Sequence, residues 1–467
     1  MSKKNQKNQR RDFIKKSGAA LAGISIVPSN VMAGFGYTAP SDKLNIAGIG
    51  VGGMGRRNLS NMNAENIVAL ADVDWKYAQR CFGDYPKAKK YKDYRKMLDE
   101  MGSEIDAVMI STPDHTHYVS AADSMRAGKH VYVQKPLTHS VYESRKLREL
   151  AKETGVATQM GNQGNSSDDM RKVCEWIWNG EIGEVTKVDA WTNRPIWPQG
   201  LERPAETPSL PPTLDWDLFI GPAEWRPYHP SYTPWNWRAW WDFGTGALGD
   251  MACHIMDPAF KALKLKYPSS VEASTVVQWA KMWNRQDYPA SCPQASMIHF
   301  DFPARGEMPP VTLHWYDGGL MPRRPIELKD DEPMGNWDGG VLFEGDDGKL
   351  MCDTYGAKPR LLPSERMSYF KQPEPVLERV TVSHQRNWVE AIKNGTPCSS
   401  SFDYAGPFTE TVLMGNLALR SMIVKDGDSY PGRKRLLWDG ENMRITNFEA
   451  ANQFVKRNYR EGWNFEL

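Results

Sequence analysis

The spacing of apolar and polar positions changes character along the chain. Between about residues 43 and 160, short apolar, β-branched runs at 44–49, 66–71, 107–111, 130–134 and 156–160 alternate with stretches of helical spacing such as 142–152. Short apolar runs suit strands buried on both faces, and the helical stretches suit crossover helices, so this region predicts a parallel sheet flanked by helices. A helix predicted over 168–178 leads to a strand over 185–191, after which residues 194–238 lose periodicity and become rich in Pro and Trp. Irregular segments of that length in compact proteins are usually functional, which makes this one a candidate wall of a binding site. Beyond a helix predicted over 249–265, strand-like runs at 271–279, 296–302 and 311–316 predict a second sheet, and helical spacing returns at 384–393 and 408–424. The expected class is α/β: a parallel α/β domain over 43–165, then an α+β domain over 166–467 with a large, mostly antiparallel open sheet.

The first 33 residues stand apart. Lys3, Lys4, Lys7, Arg10, Arg11, Lys15 and Lys16 face one acid, Asp12, ahead of an apolar run at 19–27 and the small-residue pattern Val31-Met32-Ala33. That order is the order of an export signal, and Arg10-Arg11-Asp12-Phe13-Ile14-Lys15 resembles the twin-arginine type. Residues 1–33 are therefore expected to be a cleaved signal, 34–42 a linker, and the mature protein periplasmic. No later stretch reaches the roughly 18 uninterrupted apolar residues of a membrane span, so stable membrane insertion is not expected. Without residues 1–33 acids outnumber bases, which leaves no broad cationic face for nucleic acid. Six cysteines are scattered with no paired spacing and read as ordinary buried thiols; an oxidising compartment permits a disulfide, but a chain this long does not depend on one and spacing cannot name a pair, and no structural zinc is expected.

Candidate chemistry begins at Gly48-Ile49-Gly50-Val51-Gly52-Gly53-Met54-Gly55, which follows an apolar strand and opens a helix. Gly50, Gly52 and Gly55 have the dinucleotide-binding spacing: a tight turn, close approach of backbone N–H groups to a pyrophosphate, and room for a helix whose positive end faces it. Gly53 and Met54 belong to the same turn. Asp72 ends the next strand roughly 20 residues on, where an acid holds ribose hydroxyls; Asp74 is a second candidate. An acid there repels a 2′-phosphate, so NAD is favoured over NADP, with Arg56 and Arg57 the residues that could reverse the preference.

Two further stretches, Ser111-Thr112-Pro113-Asp114-His115-Thr116-His117 and Ala127-Gly128-Lys129-His130-Val131-Tyr132-Val133-Gln134-Lys135-Pro136-Leu137, closely resemble the Gfo/Idh/MocA oxidoreductase family. The resemblance implies a Rossmann domain with NAD, contacted by Thr112, Pro113, His117, Gln134 and Lys135, and export of an already folded chain would let that NAD be carried tightly bound. The family's Glu-Lys-Pro motif stands here as Gln134-Lys135-Pro136, which removes one means of tuning the lysine. In the second half, Asp250-Met251-Ala252-Cys253-His254 resembles the family's Asp-x-x-x-His pair, and an i,i+4 spacing puts both side chains on one helical face. Lys135, Asp250 and His254 are thus the implied catalytic set: His254 or Lys135 takes a hydroxyl proton, and Asp250 orients the His254 ring or binds substrate. Asp257 shares the face, but two carboxylates and one His do not make a metal site.

The 18 Trp residues include a crowd just before that face, Trp216, Trp225, Trp235, Trp237, Trp240 and Trp241. Indole rings bury the C–H faces of sugars while polar neighbours bind hydroxyls, so Arg194, Trp197, Trp237, Arg238 and Trp241 are candidate substrate contacts, beside Asn236 and Asp242. The expected substrate is a small-molecule carbohydrate or glycoside, oxidised by hydride transfer, with the sugar C3 hydroxyl suggested by family members. Two alternatives stay open: a glycosidase that oxidises transiently and eliminates, as in the family's alpha-N-acetylgalactosaminidase branch, and a non-catalytic sugar-binding protein. The open sheet and the family suggest a dimer or tetramer.

Overall fold

The computed structural model describes residues 42–425, 427 and 433–463. The expected export signal over 1–33, and the expected linker up to residue 41, lie outside the described residues.

In the first half, β1 (Asn45–Ile49), α1 (Gly53–Ser60), β2 (Asn66–Ala71), α2 (Trp75–Asp84), β3 (Lys89–Tyr91), α3 (Tyr94–Met101), β4 (Ala107–Ile110), α4 (His117–Arg126), β5 (His130–Val133), α5 (Val141–Thr154) and β6 (Thr158–Met160) follow one another. The six strands form one parallel sheet in the order β3-β2-β1-β4-β5-β6. β4 is buried at every position, as expected of a strand covered on both faces. Polar side chains start the helices: Asp74 accepts from the amides of Lys76 and Tyr77 at the head of α2. At the head of α5, Ser140 and Glu143 form a reciprocal capping box. The order reverses direction between β1 and β4, and a crevice opens there at the strands' carboxyl ends.

The second half runs through α6 (Asp168–Trp178), β7 (Val185–Thr192), α7 (Trp216–Ile220), α8 (Gly246–Ile255), α9 (Asp257–Ala262), β8 (Ser270–Thr275), β9 (Gln278–Lys281), β10 (Asn284–Gln286), β11 (Ser296–Phe302) and β12 (Val311–Tyr316). β13 (Gly339–Gly345), β14 (Gly348–Asp353), β15 (Arg360–Leu362), α10 (His384–Asn394), α11 (Phe402–Ser421), β16 (Leu436–Asp439) and β17 (Arg444–Ile445) complete it. Nine strands form a sheet in the order β15-β14-β13-β7-β12-β11-β8-β16-β17, antiparallel except where β7 runs beside β12. β9 and β10 pair separately as a hairpin. Together the two sheets give the expected α/β architecture, a Rossmann fold followed by a mostly antiparallel sheet. No helix among the described residues is long and apolar enough to cross a membrane.

The expected division at residue 165 marks a change of topology rather than a gap in packing, because Asn45–Leu467 cluster as one compact unit. α11 is the joint. It is buried on nearly all sides, Ser144 of α5 donates to its Gly406 carbonyl, and Gly415 meets Leu248, Ile298 and Phe300, of α8 and β11, where a methyl group would not fit.

Four expectations need correction. The strand read over 271–279 ends at Thr275, and the residues from Gln278 pair instead in the β9–β10 hairpin. The helix read over 249–265 is two, α8 and α9, separated at Met256 with Pro258 in the first turn of the second. α11 starts at Phe402 rather than 408: Pro407 lies inside the first two turns, where the loss of one N–H is tolerable. Strands β13 to β15 add a third of the large sheet that the hydrophobic pattern did not disclose. On that part of the sheet Leu328 and Met334, from the irregular segment before β13, cover Trp191, Tyr316, Leu342, Met351 and Leu362.

Candidate functional site

A cleft of about 500 Å³ occupies the crevice at the strand ends. One part of it is made of backbone. Gly50 has φ 72°, and a Cβ there would come within 2.7 Å of the Thr112 amide nitrogen. A Cβ on Gly55 would overlap the Gly50 carbonyl, so the turn and α1 close on each other only because both residues are glycine. α1 has neither a side-chain cap nor an acid in its first turn, which leaves its positive end facing the cleft. Tyr77 lies over Gly52 and Gly53.

Asp72 lines this part of the cleft and is nearly buried. Its Oδ2 accepts from the amides of Val51 (2.8 Å) and Gly52 (3.1 Å), and its Oδ1 from the amide of Asp74 (2.9 Å). The carboxylate therefore holds the glycine turn to the end of β2, and burial pushes its pKa up to about 6 against those three bonds. Oδ1 has a second lone pair, so contact with a ribose hydroxyl stays open. Asp74 spends its side chain capping α2. Arg57 lines the cleft, whereas Arg56 is paired with Asp84 at 2.6 Å.

The other part is made of charged side chains, delivered by the end of β5, by α8 and by the irregular segment after β7. Lys135 Nζ donates to the Asp250 main-chain oxygen (2.5 Å) and to Asp250 Oδ1 (2.8 Å). Arg238 Nε donates to the same Oδ1 at 3.1 Å, and Arg194 Nε lies 3.9 Å from Oδ2. Burial works against a charge at Asp250, yet Lys135 and Arg238 together hold its carboxyl well below the usual range. One turn on, His254 is buried and its Nδ1 has no partner. Burial first, and the Lys135 charge second, keep this imidazole neutral well below its ordinary pKa. Its ring packs against Tyr355, centroids 4.7 Å apart. The i,i+4 pair thus shares a face as expected, but Asp250 does not orient the His254 ring; it is committed to Lys135 and Arg238.

The rim beyond Asp250 is aromatic. The Arg238 guanidinium lies 4.1 Å from the Trp235 ring centroid and 4.2 Å from that of Trp237, and both rings line the cleft. Arg194 is held by Asp338 at 2.9 Å and lies 5.7 Å from the Trp337 ring.

Of the residues singled out in the sequence, the cleft is lined by Gly50, Gly52, Gly53, Met54, Asp72, Thr112, Pro113, Gln134, Lys135, Arg194, Trp237, Arg238, Asp250 and His254. Four sit elsewhere. Gly55 packs beneath the turn. His117 is buried with its ring nitrogens 2.8 Å from the Pro136 oxygen and 2.9 Å from the Thr112 oxygen, so it ties two motif segments together without facing the cleft. Trp197 is buried in an aromatic cluster with Trp216, Phe219 and Trp240, its indole N–H donated to Gln199. Trp241 faces a separate small cavity beside Arg420. The substrate-contact role expected of Trp197 and Trp241 is therefore withdrawn, because packing turns both rings away.

Sequence reading also missed residues. Asp114 lies within a recognised motif, yet only the fold shows it in the cleft, buried, accepting from Thr245 Oγ1 at 2.6 Å just ahead of α8. Tyr355 follows β14, a strand with no clear pattern, and carries φ 69°. Tyr77 looks like any exposed helical tyrosine.

The cleft fits a dinucleotide. Beyond the glycine cradle, three cleft-lining residues, Thr112, Gln134 and His254, each carry a buried side-chain polar atom with no partner in the structure, a condition that calls for a ligand or a water.

Comparisons with known proteins agree with that chemistry. Over 210 residues the chain is 27% identical to an alpha-N-acetylgalactosaminidase of Shewanella oneidensis, a match covering 39% of this chain and 45% of that protein. A glycosyl hydrolase family 109 protein of Shewanella pealeana is 28% identical over 210 residues, with 39% and 46% covered. The chain thus spans about half the length of these curated relatives. Among solved structures, levoglucosan dehydrogenase in complex with NADH and levoglucosan superposes with a TM-score of 0.55 at 18% identity, covering 81% of this chain and 97% of that one. The WlbA dehydrogenase from Bordetella pertussis, in complex with NADH and UDP-GlcNAcA, gives 0.54 at 15%, with 81% and 97% covered. At such identities the likeness is one of fold. Residues 44–162 match the NAD-binding Rossmann fold of the Gfo/Idh/MocA oxidoreductases and residues 173–287 match that family's C-terminal alpha/beta domain. Between them these segments make up half of the chain, and the protein belongs to the Gfo/Idh/MocA family of NAD-binding oxidoreductases.

Proposed function

We propose that the protein oxidises a hydroxyl group of a sugar or glycoside, at C3 of the ring, with NAD as the hydride carrier. The observation that carries this reading is His254: a neutral imidazole with an unpaired nitrogen, facing the same cleft as a lysine fixed by its own counter-ion.

NAD bound in the cleft would supply the hydride acceptor. The rest falls to this chain. His254 lines the cleft and is held neutral, so its imidazole takes the proton from the hydroxyl as the C–H bond gives up its hydride. Lys135 cannot drift, because its ammonium is anchored at two points of Asp250, and it holds the reacting oxygen by its remaining N–H. Arg238, on the same Asp250 oxygen as Lys135, and Arg194, beside the other, keep Asp250 charged, while Trp235 and Trp237 offer flat faces for the C–H side of a pyranose.

A second reading has its own support in the curated relatives named as glycosidases. A carbonyl at C3 acidifies the C2 proton; the loss of that proton expels the substituent at C1, water adds to the alkene, and return of the hydride restores the C3 hydroxyl. The reaction is then net hydrolysis.

One experiment separates the two. The purified protein is mixed with a panel of glycosides while the reduced nicotinamide band and the free aglycone are followed. A lasting band with a keto product supports the dehydrogenase; aglycone release with a transient band supports the glycosidase. No band and no release from any glycoside, with NAD bound, overturns the catalytic reading.

A further inference from the structure

The C-terminal segment 455–463 does not pack on its own half of the molecule alone. The Val455 carbonyl accepts from the Tyr142 amide at 3.1 Å. Arg457 Nε donates to Glu143 Oε1 at 2.6 Å, another of its guanidinium nitrogens donates to the His115 carbonyl, and the Tyr459 hydroxyl donates to Glu143 Oε1 at 2.7 Å. Arg460 is bound to Asp217 at 2.5 Å and donates to the Gly221 carbonyl at 3.1 Å. The segment is fastened on both sides and ends by laying Trp463 into the wall of the cleft, where the indole is buried and lies 4.3 Å from the Arg95 guanidinium.

Its place in the cleft is set by the strand order. Pyrophosphate belongs at the Gly50–Gly55 turn and the adenosine ribose beside Asp72 at the end of β2. Lys135, at the end of β5, lies to one side of the turn, and the ends of β2 and β3 lie to the other. The adenine ring therefore falls on the β2–β3 side. There the cleft is lined by Lys92, Asp93 and Tyr94, which follow β3, and by Leu218, Phe219 and Trp463. Asp93 holds Arg95 through two bonds, Nη2 at 2.7 Å and Nε at 3.0 Å, so the guanidinium beside Trp463 is fixed as well.

We propose that residues 455–463 are a cofactor-retaining strap, with the Trp463 indole, backed by the Arg95 guanidinium, forming the surface on which the adenine ring stacks. The guanidinium holds the indole plane in place, and an adenine ring between that indole and Leu218 exchanges water for stacking contacts. A dinucleotide can then leave only when the strap lets go of Glu143 or Asp217, so NAD stays through repeated turnovers.

The full-length protein is purified and its bound dinucleotide counted by absorbance after gel filtration; release into excess unlabelled NAD is then timed by exchange of labelled NAD. We expect the wild-type chain to retain NAD, Trp463→Ala to shorten its residence about tenfold, Trp463→Phe to restore most of it, and Arg460→Ala to shorten it with Trp463 intact. Thermal unfolding of each NAD-free variant identifies any that fails to fold, and Arg95→Ala, outside the segment, tests the same stacking surface. Equal residence times in wild type and in folded Trp463→Ala and Arg95→Ala overturn the proposal. Rapid exchange in the wild type overturns retention but leaves the oxidoreductase reading standing; no binding of NAD at all overturns both.

Discussion

The two ends of the cleft are built on opposite principles. At the glycine turn the useful groups are amides and the side chains are missing: Gly50, Gly52 and Gly55 act by what they do not carry, and Asp72 ties the turn down from behind. At the reacting end the backbone is ordinary helix and the useful groups are four charged side chains and one neutral histidine. Binding a constant ligand needs a shape; moving a proton needs charges poised against each other, and charges are costly to bury unless paired. The two ends should therefore fail differently.

The largest effect is expected from His254→Ala, which should lower kcat by about 10²- to 10⁴-fold and leave the amount of bound NAD unchanged; loss of NAD as well would mean the two ends are not separable. Asp250→Asn should cost about 3–5 kcal/mol of stability, because it strands Lys135 and Arg238 in a buried place without their counter-ion, and thermal unfolding would show it. Gly50→Ala puts a side chain where φ is 72°, a cost of roughly 1–2 kcal/mol; NAD content should fall in absorbance while the charged cluster keeps its geometry.

A finer distinction is in the pH profile. Burial and the Lys135 charge depress the His254 pKa, so its neutral form persists as pH falls through the ordinary imidazole range, and the acid limb of kcat lies at lower pH. Lys135→Met removes the charge, and the limb that remains should move up. A limb that stays in place would assign it to another group. The smallest effect belongs to Trp241→Phe: this ring faces away from the cleft, and KM for the sugar should not change.

The contrast also explains what could be read from the chain. The glycine turn and Asp72 are local in sequence, and parallel strands buried on both faces leave short apolar runs, so the glycine cradle and five of the six Rossmann strands were legible; β3, a short polar strand at the sheet edge, left no such run. Lys135, Asp250 and His254 were named one by one from short motifs, but their partnership was not: that Asp250 serves Lys135 rather than His254 depends on how α8 packs against the end of β5. Composition supplied the indoles and could not say which way they point. Trp237 and Trp197 are both buried and near Arg238, yet only Trp237 lines the cleft. Strands β13 to β15 were missed because their sequence, Gly339 to Leu362, is broken by Gly, Asp and Lys, and because a covering segment supplies apolar neighbours to a face that would otherwise alternate with polar residues.

Glu143 carries one more consequence. Its Oε2 caps α5 by accepting from the amides of His139 and Ser140, while Oε1 waits for Arg457 and Tyr459, and the side chain is wholly enclosed. On a ribosome, α5 emerges some three hundred residues before its countercharge. Until Arg457 is made, α5 can begin but its cap cannot be sealed from water without leaving a lone carboxylate inside. The capping of α5, in the nucleotide-binding half, is thus completed only when the segment around Arg457 is in place.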